Sequence, residues 1–256
     1  MPHQWRHVAL VPLLAACLIA AGCSATHTVV LKGDGSGTMT MHLEVSKLLH
    51  DYIAGLAEVA GQPSANQGGV IFDLGAVRRG FADQPGVTVL NAVSPDPRSL
   101  DVDIAFNNLS ELFASQPGLK GANLVALTQA DGLETLRIHL DRSNYRQVAS
   151  FFPMLEDPTV KSLGPQVDQK TSEDDYFEMI RFSLGDDGPG LVKKSTILIS
   201  IRPDGEIVSQ TGGAVSEGAV VFSVPLLRVL LLAEPLDLSV TFRPAANATG
   251  SQEKKQ

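Results

Sequence analysis

An α+β fold is what the sequence predicts: a mainly antiparallel sheet built from ββα units, covered by helices, with a strand-rich C-terminal part. Three observations predict it. Two stretches of alternating polarity followed by an amphipathic stretch recur three times along the chain. The paired stretches are joined by short turn sequences, and tight hairpins make antiparallel neighbours, whereas parallel strands need long crossovers. Beyond Gly190 the alternating stretches follow one another without a long helical pattern between them.

The first unit pairs residues 28–32 with 38–45 across Gly33-Asp34-Gly35-Ser36-Gly37. Met39, Met41, Leu43 and Val45 alternate with Thr38, Thr40, His42 and Glu44, the period of a half-buried strand. Ser46 is placed to cap a helix whose apolar stripe is Leu49, Tyr52, Ile53, Leu56 and Ala60. Residues 61–69, rich in Gly, Gln and Ser, read as a loop. Asp73 then starts a helix running to Phe81, which Gly75 and Gly80 weaken.

The second unit pairs 87–94 with 100–106 across Pro95-Asp96-Pro97. Leu100, Val102 and Ile104 face one way, Asp101 and Asp103 the other. Asn108 caps a short helix carrying Leu109, Leu112 and Phe113. The third unit pairs 124–129 with 133–140 through Asp131-Gly132, a strong tight-turn signal. Leu136, Ile138 and Leu140 oppose Arg137, His139 and Asp141. Tyr145, Val148, Ala149 and Phe152 then follow helical spacing. The threefold rhythm is one of elements; the residues match too poorly for a duplication.

A polar connection containing Pro153, Pro158 and Pro165 follows. Ser172 opens an acidic helical turn, Glu173, Asp174 and Asp175, suited to the positive end of the helix dipole. Tyr176, Met179 and Ile180 form its apolar face. Residues 185–190, Gly-Asp-Asp-Gly-Pro-Gly, break the chain before strands at 195–202, 206–210, 219–224 and 236–242. The segment 225–233 is almost wholly apolar, but Pro225, Arg228, Glu234 and Pro235 interrupt or bound it, and it falls short of a membrane span.

Composition narrows the function classes. With 44% hydrophobic residues the chain has ample material for a buried core, which excludes disorder for most of it. The formal charge of −8 leaves no basic surplus to neutralise phosphates, so electrostatic capture by nucleic acid or by anionic lipid is not expected. Two cysteines exclude a disulfide scaffold.

Catalytic patterns are missing. There is no P-loop, no G-x-S-x-G elbow and no H-E-x-x-H. The Gly33–Gly37 cluster joins two strands rather than a strand and a helix, with no Lys or Arg close behind, and reads as a flexible hairpin turn rather than a phosphate cradle. His42 with Glu44, and His139 with Asp141, each share a strand face and offer two metal ligands where a catalytic metal usually has three from the protein. Asp101 and Asp103 form a carboxylate pair with no sign of a pocket to split their pKa values. The solvated polar strand face accounts for all three pairs. No catalytic residue, no metal ligand and no cofactor is therefore assigned, and no enzyme activity is expected.

Residues 1–22 read as an export signal: Arg6 in a short polar start, then an apolar stretch of about 14 residues, too short to span a bilayer. It ends in Ala20-Ala21-Gly22-Cys23, which resembles the lipobox of bacterial lipoproteins. The resemblance implies cleavage between Gly22 and Cys23, with the Cys23 thiol carrying a diacylglyceryl group. Two or more acyl chains anchor a protein stably. Cys17 would be removed with the signal, leaving Cys23 without a disulfide partner.

The chain resembles the LppM-like bacterial lipoproteins, mainly at its two ends. The likeness is carried by Cys23, by the strand and glycine turn soon after it, and by Arg202-Pro203-Asp204-Gly205-Glu206-Ile207-Val208 with Gly212-Gly213 and Val220-Val221-Phe222 near the other end. Between about residues 60 and 190 it rests on element order alone. It implies an exported α+β domain held at the bacterial envelope, facing the periplasm or the cell surface, without enzymatic activity and binding a hydrophobic ligand or an envelope or host protein. Members often end in a membrane helix; this chain ends in a polar tail.

The resulting organisation is a signal peptide at 1–22, a lipidated tether at 23–26, one α+β domain at 27–243 and a disordered polar tail at 244–256. The expected partners are the membrane, through acyl chains on Cys23, and an apolar ligand or protein. Leu226, Leu227, Val229, Leu230, Leu231 and Leu232 are the candidate apolar contact, since an exposed run of that size would mark a binding surface. The alternatives are a structural or surface-interaction lipoprotein without a small ligand, and a metal-dependent hydrolase using one of the two His–carboxylate pairs.

Overall fold

The computed structural model describes residues 24–59, 72–82, 84–114, 121–150, 164–165 and 171–245. The signal peptide, Cys23, the 61–69 loop, Ala60, Phe152, Pro153, Pro158 and the tail beyond Ala245 lie outside the described residues.

The first ββα unit is strand β1 (Ser24–Leu31), strand β2 (Gly37–Glu44) and helix α1 (Lys47–Val59). β1 begins at Ser24, so the positions assigned to a tether after Cys23 already pair in the sheet. Its turn closes as a hairpin: Lys32 N–H donates to Ser36 O at 2.8 Å and Gly35 N–H to Lys32 O at 3.0 Å. The turn is also docked, because Gly35 O accepts from Leu109 N–H at 2.9 Å. Ser46 Oγ accepts from Leu49 N–H at 3.2 Å, the N-cap bond expected for α1.

Helix α2 (Leu74–Ala82) follows, then β3 (Val87–Val93), β4 (Ser99–Phe106) and α3 (Leu109–Ala114). The turn between the strands is tied by Asp96, which accepts from Ser99 Oγ at 2.6 Å and Arg98 N–H at 2.8 Å. Asn108 Oδ1 caps α3 by accepting from Glu111 N–H at 3.1 Å. The third unit is β5 (Val125–Ala130), β6 (Leu133–Leu140) and α4 (Arg142–Ser150). Asp131 and Gly132 take positive φ, 53° and 72°, as a two-residue primed turn requires.

Helix α5 (Glu173–Leu184) is capped by Ser172, whose side chain accepts from Asp175 N–H at 3.2 Å. The 185–190 stretch is not only a break. From Gly188 it winds into α6 (Gly188–Lys194), with Pro189 in its first turn, where the missing N–H is no loss. Then come β7 (Thr196–Pro203), β8 (Gly205–Thr211), the short β9 (Ala214–Ser216), β10 (Ala219–Pro225), α7 (Leu226–Leu231) and β11 (Leu236–Pro244).

The strands form a seven-stranded sheet in the order β3-β4-β2-β1-β7-β10-β9 and a four-stranded sheet in the order β5-β6-β11-β8. Every pairing is antiparallel except β1 with β7, which runs parallel. That exception is allowed because most of the chain separates the two strands. One apolar cluster takes residues from both sheets, among them Leu31, Ile104, Ile201 and Phe222 from the larger and Leu136, Leu238, Val240 and Phe242 from the smaller. Fully burying each such side chain contributes about 1.5–3 kcal/mol. A second cluster joins helices: Tyr176, Phe177, Ile180 and Leu184 of α5 and Val192 of α6, with Leu48, Leu49 and Tyr52 of α1 against them.

Candidate functional site

The inner face of the larger sheet is written by simple alternation: Ala25, His27, Val29 and Leu31 on β1; Met39, Met41 and Leu43 on β2; Ile197, Ile199 and Ile201 on β7. Cross-strand register sets these residues in rows. One row runs Ile104, Met39, Val29, Ile201, Val220; the next runs Val102, Met41, His27, Ile199, Phe222; the last runs Leu100, Leu43, Ala25, Ile197, Val224.

Cover over these rows is uneven. In the first, all but Met39 are buried. In the second, Val102 and Phe222 are 1% exposed while Met41, His27 and Ile199 between them are only half-buried. In the third, Val224 alone is buried. The inner face is thus buried at its Leu31 end and half-buried toward Ser24 along β2, β1 and β7, where Met39, Met41, Ile197 and Ile199 pack on the core from one side; this half-covered apolar strip is the trough.

His27 is the one polar side chain on the floor. It makes no side-chain hydrogen bond to the described residues, and burial pushes its pKa below the ordinary histidine value. It is therefore a neutral imidazole, with one nitrogen able to donate and the other able to accept. Its neighbours Met39 and Met41 are flexible and polarisable, suited to adapt to an apolar guest. The strip thus sets apolar side chains beside one group able to donate and to accept a hydrogen bond.

The residues singled out from the sequence fall elsewhere. The Leu226–Leu232 run does not stand clear of the body. Leu227, Leu230 and Leu231 pack on the helical cluster, Val229 packs on the main core, Leu226 is half-buried and Leu232 is 3% exposed. Arg142 holds the end of the run, donating from Nε to Leu232 O at 3.0 Å and from Nη2 to Leu231 O at 3.1 Å.

His42 and Glu44 share the outer face, as expected, but His42 Nδ1 meets Asp101 Oδ1 across the strand pair at 2.5 Å. Asp103 accepts from Asn91 Nδ2 at 3.4 Å. His139 sits between two carboxylates, Asp237 at 2.8 Å and Asp141 at 3.2 Å. The hydrogen bond to Asp237, chiefly, raises its pKa. Asp141 in turn caps α4, accepting from Ser143 N–H at 2.7 Å and Asn144 N–H at 3.0 Å. Its pKa is pulled down to about 2, most of all by the Ser143 hydroxyl. Among the described residues no group of three or more His, Cys, Asp and Glu side chains is placed to hold a metal ion. The Gly33–Gly37 turn directs its Lys32, Gly35 and Ser36 amides to acceptors within the turn, so they are not presented to a phosphate.

No family model matches this chain, and no curated protein sequence matches it. Among solved structures, the NMR structure of the folded domain of the Mycobacterium tuberculosis LppM protein aligns with 90% of this chain and 94% of that one, at 11% sequence identity and a TM-score of 0.42. The likeness is weak. Among the described residues no helix is long and apolar enough to cross a membrane.

Two residues of note escaped the sequence reading. His27 stands in an alternating stretch and carries its own signal: the apolar parity of Val29 and Leu31 places it on the inner face. Glu134 follows the same logic, sharing parity with Leu136, Ile138 and Leu140. It is 4% exposed, and its Oε2 is sealed from solvent without a hydrogen-bond partner.

Proposed function

We propose that this protein is an envelope-anchored bacterial lipoprotein that holds an apolar, single-headed ligand in the trough over His27, Met41 and Ile199, without catalysing a reaction. The observation that carries this reading is the uneven closure of the inner face: buried residues flank a half-open strip of apolar side chains around one neutral imidazole. The anchor is supported by the Ala20-Ala21-Gly22-Cys23 sequence. A non-enzymatic role is supported by the work each polar cluster already does, as a cross-strand pair, a turn or a helix cap.

Native mass spectrometry of the full-length protein, extracted in mild detergent, tests the reading. Wild type is expected to carry a non-covalent mass that denaturation releases, and Met41→Asp, which sets a charge on the floor, is expected to lose it. A wild-type protein that carries no extra mass and takes up no fluorescent fatty acid overturns the ligand.

One feature supports a second reading, a protein partner. β3 is an edge strand with an irregular register between Val89 and Asn91, and Leu90 there is 60% exposed beside a shallow depression of 540 Å³. Retention of a partner by wild type but not by Leu90→Asp, with no ligand in the trough, would favour it.

A further inference from the structure

We propose that the Ser24 end of the seven-stranded sheet is a membrane-facing surface that recognises anionic phospholipid headgroups through Lys193, Lys194 and Arg228. The proposal rests on the reading of Cys23 as the lipid anchor and deepens it, because it fixes which face of the body meets the bilayer.

The geometry starts from Ser24. It is already in β1, in register with Glu44 of β2 on one side and Thr196 of β7 on the other. No free linker separates it from Cys23. One residue of extended chain spans at most about 3.6 Å. An acylated Cys23 therefore holds this end of the sheet at the headgroups, while β1 carries Leu31 and Lys32 away by about 26 Å at ~3.3 Å per residue.

The parallel pairing of β1 with β7 decides what surrounds the anchor. Because both strands start at the same end, the residues before Thr196 sit beside Ser24. These are Ser195 and, closing α6, Lys193 and Lys194, both exposed. Leu226 N–H donates to Ser195 O at 2.9 Å, which brings the first turn of α7 and its exposed Arg228 to the same end. Val45 N–H donates to Arg98 O at 2.9 Å, adding another cation at the β2–β4 side.

The chain as a whole is at −8, yet Lys193, Lys194 and Arg228 make no ion pair with the described carboxylates. Lys193 Nζ rests over the Phe177 ring, 4.3 Å from its centroid. Acids share this surface: Glu44 beside β1, the exposed Glu173, Asp174 and Asp175 opening the helix whose Phe177 Lys193 rests on, and Glu234 after α7, while Asp51 pairs with Lys47 and Asp96 accepts the turn hydrogen bonds. The recognition rests on where the unpaired cations stand beside the anchor, not on a local surplus of positive charge. Cations near an anionic leaflet are attracted to it within about a Debye length. Such contacts orient a body that the acyl chains already hold. They also set the half-covered end of the trough, which lies toward Ser24, against the lipid.

Lysine footprinting of the full-length acylated protein tests this. The protein is reconstituted in phosphatidylcholine vesicles with or without phosphatidylglycerol, or kept in neutral detergent micelles. Amine acetylation is then quantified at each lysine by peptide mass spectrometry. In phosphatidylglycerol vesicles Lys193 and Lys194 are expected to react about fivefold more slowly than in micelles, and added salt restores them. Lys32, at the far end of β1, is expected to react equally in every medium. Protection that does not depend on phosphatidylglycerol overturns headgroup recognition. Acylated Cys23 with Lys193 and Lys194 as reactive as Lys32 overturns the orientation alone. A Cys23 peptide without acyl mass, with protein that does not float with the vesicles, overturns the anchor and this orientation with it.

Discussion

Glu134 stands directly across the β6–β11 pair from Phe242, on the face that the smaller sheet turns to the core. Burial, and then the nearby Asp34 charge, raise its pKa above the ordinary glutamate value. A raised carboxyl pKa favours the protonated form in the folded state. Its stability contribution is complete below the unfolded glutamate pKa and is lost as pH rises through the folded value. Glu134→Gln removes the ionisation. The variant is expected to be more stable than wild type near neutral pH, because its amide carries no charge into the buried site. The gain should vanish in acid. Urea midpoints across that pH range check it; equal midpoints at neutral pH would show that the carboxylate is solvated.

His27 and His139 are expected to titrate on opposite sides of the ordinary histidine pKa. Burial lowers the first; hydrogen bonding to Asp237, with a further contribution from Asp141, raises the second. The signs for stability differ accordingly. His27 favours the fold above the ordinary histidine value, and that contribution is lost as pH falls through its lowered pKa. His139 favours the fold below the ordinary value, and its contribution is lost as pH rises through its raised pKa. Nitrogen-detected NMR of the imidazoles gives both values. His27→Gln should flatten the acid side of the stability profile and Asp237→Asn the other. If the two rings titrate together, His27 is not on a covered floor.

Local features were legible in the sequence for local reasons. Alternation in Met39-Thr40-Met41-His42 gave β2 its faces, Ser46, Asn108 and Ser172 marked three helix starts, and Asp131-Gly132 marked a primed turn. The glycine-rich segment before Lys193 hid α6, since glycine lowers helix propensity and Pro189 is compatible with a first helical turn only. The β1–β7 pairing was illegible because its partners lie far apart in the chain and each strand pattern is complete without the other. The trough shares that fate. His27 and Met41 face each other in the β1–β2 hairpin, but Ile199 joins them only through that pairing. The leucine run drew notice for its density, but density does not say which neighbours cover it.

Gly37 is expected to tolerate no side chain. A Cβ there would lie 2.0 Å from Val30 O and 2.9 Å from the tip of the Phe106 ring. The strands approach closely at this end of the β1–β2 pair, where Leu31 faces Gly37 in register. Gly37→Ala must push β1 backbone or Phe106 out of the core, and a loss of about 1–3 kcal/mol follows, as for other overpacked core positions. Gly55 on α1 has nothing within reach of a Cβ. Gly55→Ala should stabilise by about 0.4–1 kcal/mol through helix propensity and a less free unfolded chain. Thermal melts of the two variants therefore move in opposite directions, and a Gly37→Ala protein as stable as wild type would show that the hairpin is looser than its geometry.

Arg142 is expected to matter for stability although it is not in the core. Its guanidinium donates to Leu231 O and Leu232 O, carbonyls that α7 leaves unpaired where Leu232 turns into a left-handed conformation at φ 40°. Leu232 is 3% exposed, so water has little access to replace those bonds. Arg142→Ala should cost about 1.5–3 kcal/mol, as hydrogen bonds from a charged donor do. Arg142→Lys should recover only part of that, because an ammonium lacks the planar fork that reaches two carbonyls. Opening should be local, with hydrogen exchange rising in Leu226–Leu231 before it rises in β6. That order distinguishes a structural run from a docking surface. A run held in place by a ligand would exchange faster when the ligand is removed and would be indifferent to Arg142, whereas a run pinned by Arg142 responds to the substitution with or without anything in the trough.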